Sequence, residues 1–307
     1  MEHDGIKITI DELKLCYSAS LDALQPLKAT GIGKCYDVAN YRLFRTVNDR
    51  FKYYFDVVKK SVPVAYLRFG LYTETDAKND TGAYAYLKIQ NSILYDEREL
   101  QNVLELPVQL GFVFHHFTAI DLAVDTPFSV PLLIKRMMSK PDITTILNGK
   151  AITDRKRILQ GVHFAYSATL DRIKHPSVTI KQRKAILNKD EGVTVQAYDK
   201  RGEIDNQSDK QYILDYYGNP CRLYRLEVRL HYQELKDYFD LKKSTAESSL
   251  VFDQPFLRDM FFYHLASVIR FTRGRRKILW EELIKCRGKG ALTIPPATAR
   301  RQGGNKG

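Results

Sequence analysis

Residues Ala119 to Asp125 read "AIDLAVD". As a strand, this segment puts Ile120, Leu122 and Val124 on one face and Asp121, Ala123 and Asp125 on the other. The apolar face can pack on helices. The opposite face carries two carboxylates around an alanine, which leaves room between them. Acids on a core-like strand are costly unless something positive sits beside them. Mg²⁺ or Mn²⁺ would suit, because hard cations take carboxylate oxygens. Asp121, in mid-strand, reads as such a ligand. Asp125 reads equally well as a second ligand and as a cap of the strand end before Thr126-Pro127.

Two later strands follow the same logic. In "CRLYRLEVRLH" (221–231), Leu226, Val228 and Leu230 share one face, and Arg225, Glu227 and Arg229 share the other. Taken alone this is an ion-pair ladder. It gains chemical interest if Glu227 lies beside Asp121 in the sheet. In "VTVQAYDKRGE" (193–203), Val193, Val195 and Ala197 point one way and Gln196, Tyr198 and Lys200 the other. A phenol ionises near pH ~10. It becomes a nucleophile where a cation favours the phenolate and the phosphate under attack is neutralised. Lys200 and a carboxylate-bound metal would meet those needs, although an isolated Tyr-x-Lys is usually surface decoration. Glu203 reads as structural, turning the chain and pairing with Arg201 or a neighbour.

Around these strands the chain reads as hairpins, then helices. Glu12–Ser18, Tyr41–Arg45 and Phe51–Val58 are strand-like. Two further strands flank "TDAKND", with Asn79 and Asp80 suited to the turn. A helix is predicted from Asp96 to Leu106, closed by Pro107, and another over "VPLLIKRMMSK". From Tyr232 the pattern is helical, over Pro255–Phe271 and again over "RRKILWEELIKC" after Gly274. The expected fold class is α+β, a largely antiparallel sheet with a helical C-terminal appendage. The expected units are 1–231, a helical region 232–286 and a disordered basic tail 287–307.

Composition narrows the partner. The 307 residues hold 48 Lys plus Arg against 36 Asp plus Glu, a formal net charge of +12. Such an excess favours a polyanion, through counterion release on phosphate contact. The start of the chain has no basic n-region or apolar h-region, and no apolar run is long enough to span a bilayer. The cysteines Cys16, Cys35, Cys221 and Cys286 form no C-x-x-C pair, which argues against zinc ribbons and disulfide frameworks. A cytoplasmic protein without a membrane partner is expected. His115 and His116, adjacent in a strand, should point to opposite faces and so not serve one site together. "GIGK" (31–34) lacks the spacing of a P-loop, and neither G-x-S-x-G nor H-E-x-x-H occurs.

Taken in order, these three strands resemble the rolling-circle replication initiators. The likeness is to the filamentous-phage gene II replication endonuclease family, with the staphylococcal-type plasmid initiators as cousins. A strand carrying "RID", then one carrying "YLK", then one carrying "RFE" mark that family. Here Ile120-Asp121, Tyr198-Asp199-Lys200 and Leu226-Glu227 look like their counterparts, and "LKIQNS" (87–92) also has one. The likeness spans roughly residues 10 to 235 through short motifs. Ala119 stands where an arginine is common, and the two-histidine metal motif of the wider nuclease superfamily is missing.

The resemblance implies a ferredoxin-like palm of the type related to those two-histidine (HUH) nucleases. It implies a site-specific endonuclease whose tyrosine cuts one DNA strand and stays on the new 5′ phosphate, assisted by Mg²⁺ or Mn²⁺. Carried over, Tyr198 is the nucleophile, Lys200 its partner, and Asp121 and Glu227 the metal acids. Asp125 fits the plasmid cousins better. The implied partners are origin DNA, double- and single-stranded, and host helicase and replication proteins. Two alternatives stand beside this reading. One is a relaxase of a mobilisable element. The other is a non-enzymatic DNA-binding protein working through Arg273, Arg275, Arg276 and Lys277, a basic cluster expected at a helix junction.

Overall fold

Alternation of apolar and polar residues builds most of this molecule. The computed structural model describes residues 6–71, 83–152, 162–168, 174–182 and 192–285. Its main sheet begins with β1 (Thr9–Ala19), β2 (Cys35–Val38), β3 (Tyr41–Thr46), β4 (Phe51–Lys59), β5 (Val62–Leu71), β6 (Ala83–Ile89) and β7 (Val113–Thr126). It continues after an excursion with β10 (Val162–Ala168), β11 (Lys174–Lys181), β12 (Thr194–Asp199) and β13 (Tyr224–His231). The eleven strands lie in the order β10-β11-β12-β13-β7-β1-β6-β5-β4-β3-β2. Each neighbouring pair is antiparallel. The predicted "AIDLAVD" strand is the centre of β7, between β13 and β1.

One face of this sheet is the core face. Ile120, Leu122 and Val124 of β7, Leu226, Val228 and Leu230 of β13, and Val195 and Ala197 of β12 are all buried there. Each large apolar side chain so buried contributes about 1.5–3 kcal/mol relative to exposure. Three helices pack behind these strands. In chain order the helices are α1 (Leu21–Ala29), α2 (Glu97–Gln109), α3 (Val130–Ser139), α4 (Lys200–Gln207), α5 (Gln211–Tyr216), α6 (Tyr232–Lys242), α7 (Gln254–Val268) and α8 (Trp280–Lys285). Those behind β7, β12 and β13 are α3, α6 and α7. Side-chain caps fix several starts. Asp96 accepts from Glu99 N, Ser129 from Leu132 N and Asp253 from Phe256 N, each satisfying a donor the helix cannot. Among the described residues, no helix is long and apolar enough to cross a membrane.

The structure departs from expectation in three elements. Helix α2 runs through Pro107 to Gln109, although Pro107 brings no amide proton for the carbonyl four residues before it. Gly111, at φ +77, turns the chain into β7. The strand at Tyr198 ends at Asp199, and Lys200 opens α4 with the Asp199 side chain as its cap.

The third departure is a second sheet, in the order β15-β14-β8-β9. It joins β8 (Thr144–Leu147) and β9 (Lys150–Ala151) to β14 (Ile269–Arg273) and β15 (Arg276–Ile278). The expected helix over "RRKILWEELIKC" is thus a strand followed by the short α8. Ile269 and Phe271 alternate with Arg270 and Thr272, and Gly274 at φ +56 permits a two-residue hairpin loop. Trp280 locks the hairpin, its indole N–H donating to Ile269 O at 2.8 Å. Strand β8 pairs with β14 across position 231. One cluster of buried apolar residues runs from Ile6 to Ile284. The turn at Asn79-Asp80, the basic residues Arg155, Lys156, Arg157, Arg172, Arg183 and Lys184, and the tail 287–307 lie outside the described residues.

Candidate active site on the open face of the sheet

Three consecutive rows across the face opposite the core, here called the open face, carry the acids and the tyrosine, with Glu227 and Arg225 fully buried among them. The first row pairs Tyr198 with Arg225 and Arg225 with Asp125. The second runs Gln196, Glu227, Ala123, Thr9. The third runs Thr194, Arg229, Asp121, Glu12. Asp121 and Glu227 are therefore on neighbouring strands and on one face, with the small Ala123 between Asp121 and Asp125.

Tyr198 donates its hydroxyl to Glu227 Oε2 at 3.0 Å. Lys200 Nζ lies 3.5 Å from the same hydroxyl. Lys200 reaches it from the first turn of α4, not from the strand, and is only 1% exposed. Its ion-pair partner is Glu203, at 2.6 Å. Of the partners expected for Glu203, Arg201 or a neighbour, it is the neighbour Lys200 that pairs, while Arg201 pairs with Asp205 at 2.8 Å. Burial, with Arg225 nearby, pushes the Lys200 ammonium below its ordinary value. Burial likewise raises the Tyr198 phenol well above its ordinary value, and the Glu227 charge adds to the rise. The phenol is thus held neutral, with a carboxylate placed to receive its proton.

Arg229 stands between the two acids. Its Nε is 2.5 Å from Glu227 Oε1 and 3.6 Å from Asp121 Oδ2. One guanidinium does not balance the pair. Burial and then the Glu227 charge raise the Asp121 carboxyl to about 8, against the pull of Arg229. Among the described residues no group of three or more His, Cys, Asp or Glu side chains comes together as metal ligands. Asp121 and Glu227 are the two carboxylates that could share a hard divalent cation. Such a cation would replace Arg229, whose side chain is 43% exposed, and take further oxygens from water or phosphate, as Mg²⁺ does.

Asp125 does not join them, nor does it cap the strand. Its carboxylate accepts two hydrogen bonds from Arg225, at 2.8 and 2.6 Å, and one from the Tyr217 hydroxyl at 3.0 Å. Arg225 is fully buried and completes its shell with Asp11 and with the Tyr95 hydroxyl at 2.7 Å. This network, not a ladder along β13, holds Arg225 charged. Burial would lower its pKa, but Asp125, Tyr95 and Asp11 raise it well above the ordinary value.

Asp11 is the site residue that the strand pattern alone does not reveal. Simple alternation puts Asp11 and Glu12 on opposite faces. In the sheet, Ile10 pairs with Leu122 and Glu12 with Asp121, so Asp11 is the extra residue of a β-bulge. The bulge turns two consecutive acids toward the open face. Burial alone would raise Asp11, but Arg225, Lys200 and Lys210 lower it to about 2. Asn91, within "LKIQNS", donates to the Asp11 carbonyl at 2.7 Å and so braces the bulge.

A second irregularity, between Cys16 and Tyr17, overturns the expectation for the histidines. His116 pairs with Cys16 while Phe114 pairs with Tyr17, leaving His115 as the extra residue. The two imidazoles meet, Nδ1 to Nδ1, at 2.5 Å. Burial and the neighbouring ring lower His116 to about 4. The basic cluster is elsewhere, on the β14–β15 hairpin. Arg273 pairs with Asp142 at 2.9 Å and Arg276 approaches Glu282 at 4.0 Å. Comparison of the sequence with protein-family models and with curated proteins finds no match.

Proposed function

We propose that this protein is a metal-dependent DNA-nicking and strand-joining endonuclease that initiates rolling-circle replication. The observation that carries the reading is the Tyr198 hydroxyl, bonded to Glu227 and beside the buried Lys200, on the face that also holds Asp121. A binding module has no use for a half-buried phenol wired to a buried carboxyl group and a buried lysine.

The chemistry is a transesterification. Tyr198 Oη attacks the scissile phosphorus, and its proton passes to Glu227 Oε2. The P–O3′ bond breaks, and the departing O3′ takes up a proton to become a 3′ hydroxyl. A tyrosyl ester to the 5′ phosphate remains, and the reverse attack by a 3′ hydroxyl rejoins the strand. Lys200 stabilises negative charge as it builds on the phenol oxygen. Asp125, Arg225 and Asp11 hold the first row in register and keep the strand ends fixed. When bound by Asp121 and Glu227, a divalent cation would supply charge neutralisation at the phosphate. The donor chemistry, with two carboxyl groups sharing the single Arg229 guanidinium, fits such an ion. The ferredoxin-like palm, the origin DNA and helicase partners and a cytoplasmic setting belong to this same proposal.

Incubation with supercoiled DNA from the cognate replicon and Mg²⁺ or Mn²⁺ tests it. Nicked circles and a covalent adduct on Tyr198 are expected. Binding without any nick or adduct would replace the enzyme with a DNA-binding protein.

A further inference from the structure

We infer that the open face of β4, β5 and β6 is a track for single-stranded DNA that leads onto the Tyr198 site. The inference takes its direction from the proposed nicking reaction, but its evidence is separate. Two rows of side chains continue the open face away from the site. Lys14 of β1 is followed across the sheet by Lys88, Tyr66 and Asp56. Cys16 is followed by Tyr86, Arg68 and Tyr54. Tyr54, Tyr66, Arg68, Tyr86 and Lys88 are half-buried, while Leu67, Leu87 and Phe55, which alternate with them, are buried in the core. Beyond them Tyr84 is 48% exposed, its ring 5.0 Å from His115.

An exposed sheet face ordinarily carries short polar and charged side chains. Here it carries tyrosines interleaved with cations. The Tyr54 and Tyr66 rings are 5.7 Å apart, and Arg68 lies between Tyr54 and Tyr86 in its row. Among the described residues Arg68 forms no ion pair, and its Nε has no hydrogen-bond partner. Its guanidinium lies over the Phe51 ring at 4.9 Å. Lys14 and Lys88 both lean on the single acid Glu12. With Asp56 at the end of its row, the face sets three cations, Lys14, Lys88 and Arg68, against two acids, a net positive charge among flat rings.

Single-stranded nucleic acid fits that chemistry. Its phosphates match the cations, and its bases present π faces that stack on tyrosine without regard to sequence. Duplex DNA hides those faces, and an acidic peptide has no use for the rings. The path is continuous with the catalytic face, since Glu12, two residues from Lys14 on β1, is the cross-strand partner of Asp121. From β12 to β4 there are six strand spacings of about 4.8 Å, roughly 29 Å, room for several nucleotides.

Binding without cleavage tests the track. The Tyr198→Phe protein is titrated, in EDTA, into a fluorescent oligothymidylate of about 12 nucleotides and, separately, into a hairpin duplex, with anisotropy as readout. Tyr66→Ala and Tyr86→Ala should each weaken single-strand binding by roughly 5- to 150-fold and change duplex binding little. Tyr66→Phe and Tyr86→Phe should keep the affinity, because the ring does the stacking. Arg68→Ala should weaken binding and lower the salt slope by roughly one unit. The exposed Tyr84→Ala carries no folding risk and should also weaken it. Unchanged single-strand affinity across the alanine variants would overturn the track, as would equal losses on duplex. The nicking proposal fails separately, if wild-type protein with metal makes no adduct while these binding results stand.

Discussion

At the scale of single residues, two carboxyls carry opposite pH signatures. Asp121 is raised from 3.8 to about 8 in the folded chain. Its contribution to stability is complete below pH ~4 and is lost as pH rises toward 8. Asp11, lowered to about 2, does the reverse and loses its contribution as pH falls from about 4 to 2. Thermal melts between pH 5 and pH 8.5 should therefore show wild type falling relative to Asp121→Asn as pH rises. Mn²⁺ should raise the melting temperature more at the alkaline end, where the ion meets no competing proton, and should do nothing for Asp121→Asn. A wild-type curve parallel to the variant would show that Asp121 does not titrate there. For Tyr198→Phe only a hydroxyl is lost, so stability should drop by roughly 1 kcal/mol. Nicking should vanish and DNA binding persist. Recovery of the adduct on Tyr212 would move the nucleophile. The faces that Tyr198, Asp121 and Glu227 occupy in their strands are legible in the sequence, because period-two alternation assigns faces within one strand. That Asp125 belongs to Arg225 was not, because it depends on which strand lies alongside.

At the scale of elements, the bulge at Asp11 and the hairpin at Gly274 show the limit of local pattern. A bulge is defined by the partner strand, so "TIDELKL" cannot announce it. The hairpin escapes local pattern because "RRKILWEELIK" also carries helical spacing, and only the pairing of β14 with β8 and β15 decides between the two. Each element yields a prediction. Arg225 is buried between Asp11 and Asp125, so Arg225→Met leaves Asp125 without its cation and Asp11 with only the weaker pull of Lys200 and Lys210. It should cost roughly 3–5 kcal/mol in urea unfolding. Adding Asp11→Asn and Asp125→Asn should recover much of that loss. No recovery would mean that Arg225 matters through packing alone. On the hairpin, Arg275 and Lys277 form no ion pair among the described residues, whereas Arg273 and Arg276 already face acids. The Arg275→Ala, Lys277→Ala double variant should lower the salt slope of DNA binding by roughly two units. Arg273→Ala and Arg276→Ala should lower it less. A slope that does not move would place the phosphate contacts elsewhere.

At the scale of the whole molecule, the +12 charge and the α+β layering were readable from composition and element order. The joining of the two ends was not. Sequence reading ends the first unit at 231 because strands give way to helices there, and contacts between distant segments leave no trace in a local window. In the structure β8 completes its sheet only with β14, from beyond that point. Helix α7 supplies Leu257, Met260, Phe261 and Leu265 to the same core that holds β7 and β13. Gln254 ties this helix to β1's approach, donating to Ile8 O at 2.9 Å and accepting from Ile8 N at 3.0 Å. A chain ending at 231 would expose the apolar backs of β7, β12 and β13 and leave β8 an open edge. Losing four buried side chains of α7 alone removes roughly 6–12 kcal/mol of burial, comparable with the whole stability of a domain. The truncated protein should therefore be aggregated or unfolded by circular dichroism, and the full chain should melt in one calorimetric transition. A soluble 1–231 fragment that kept its secondary structure and bound DNA would show the C-terminal region to be an appendage after all.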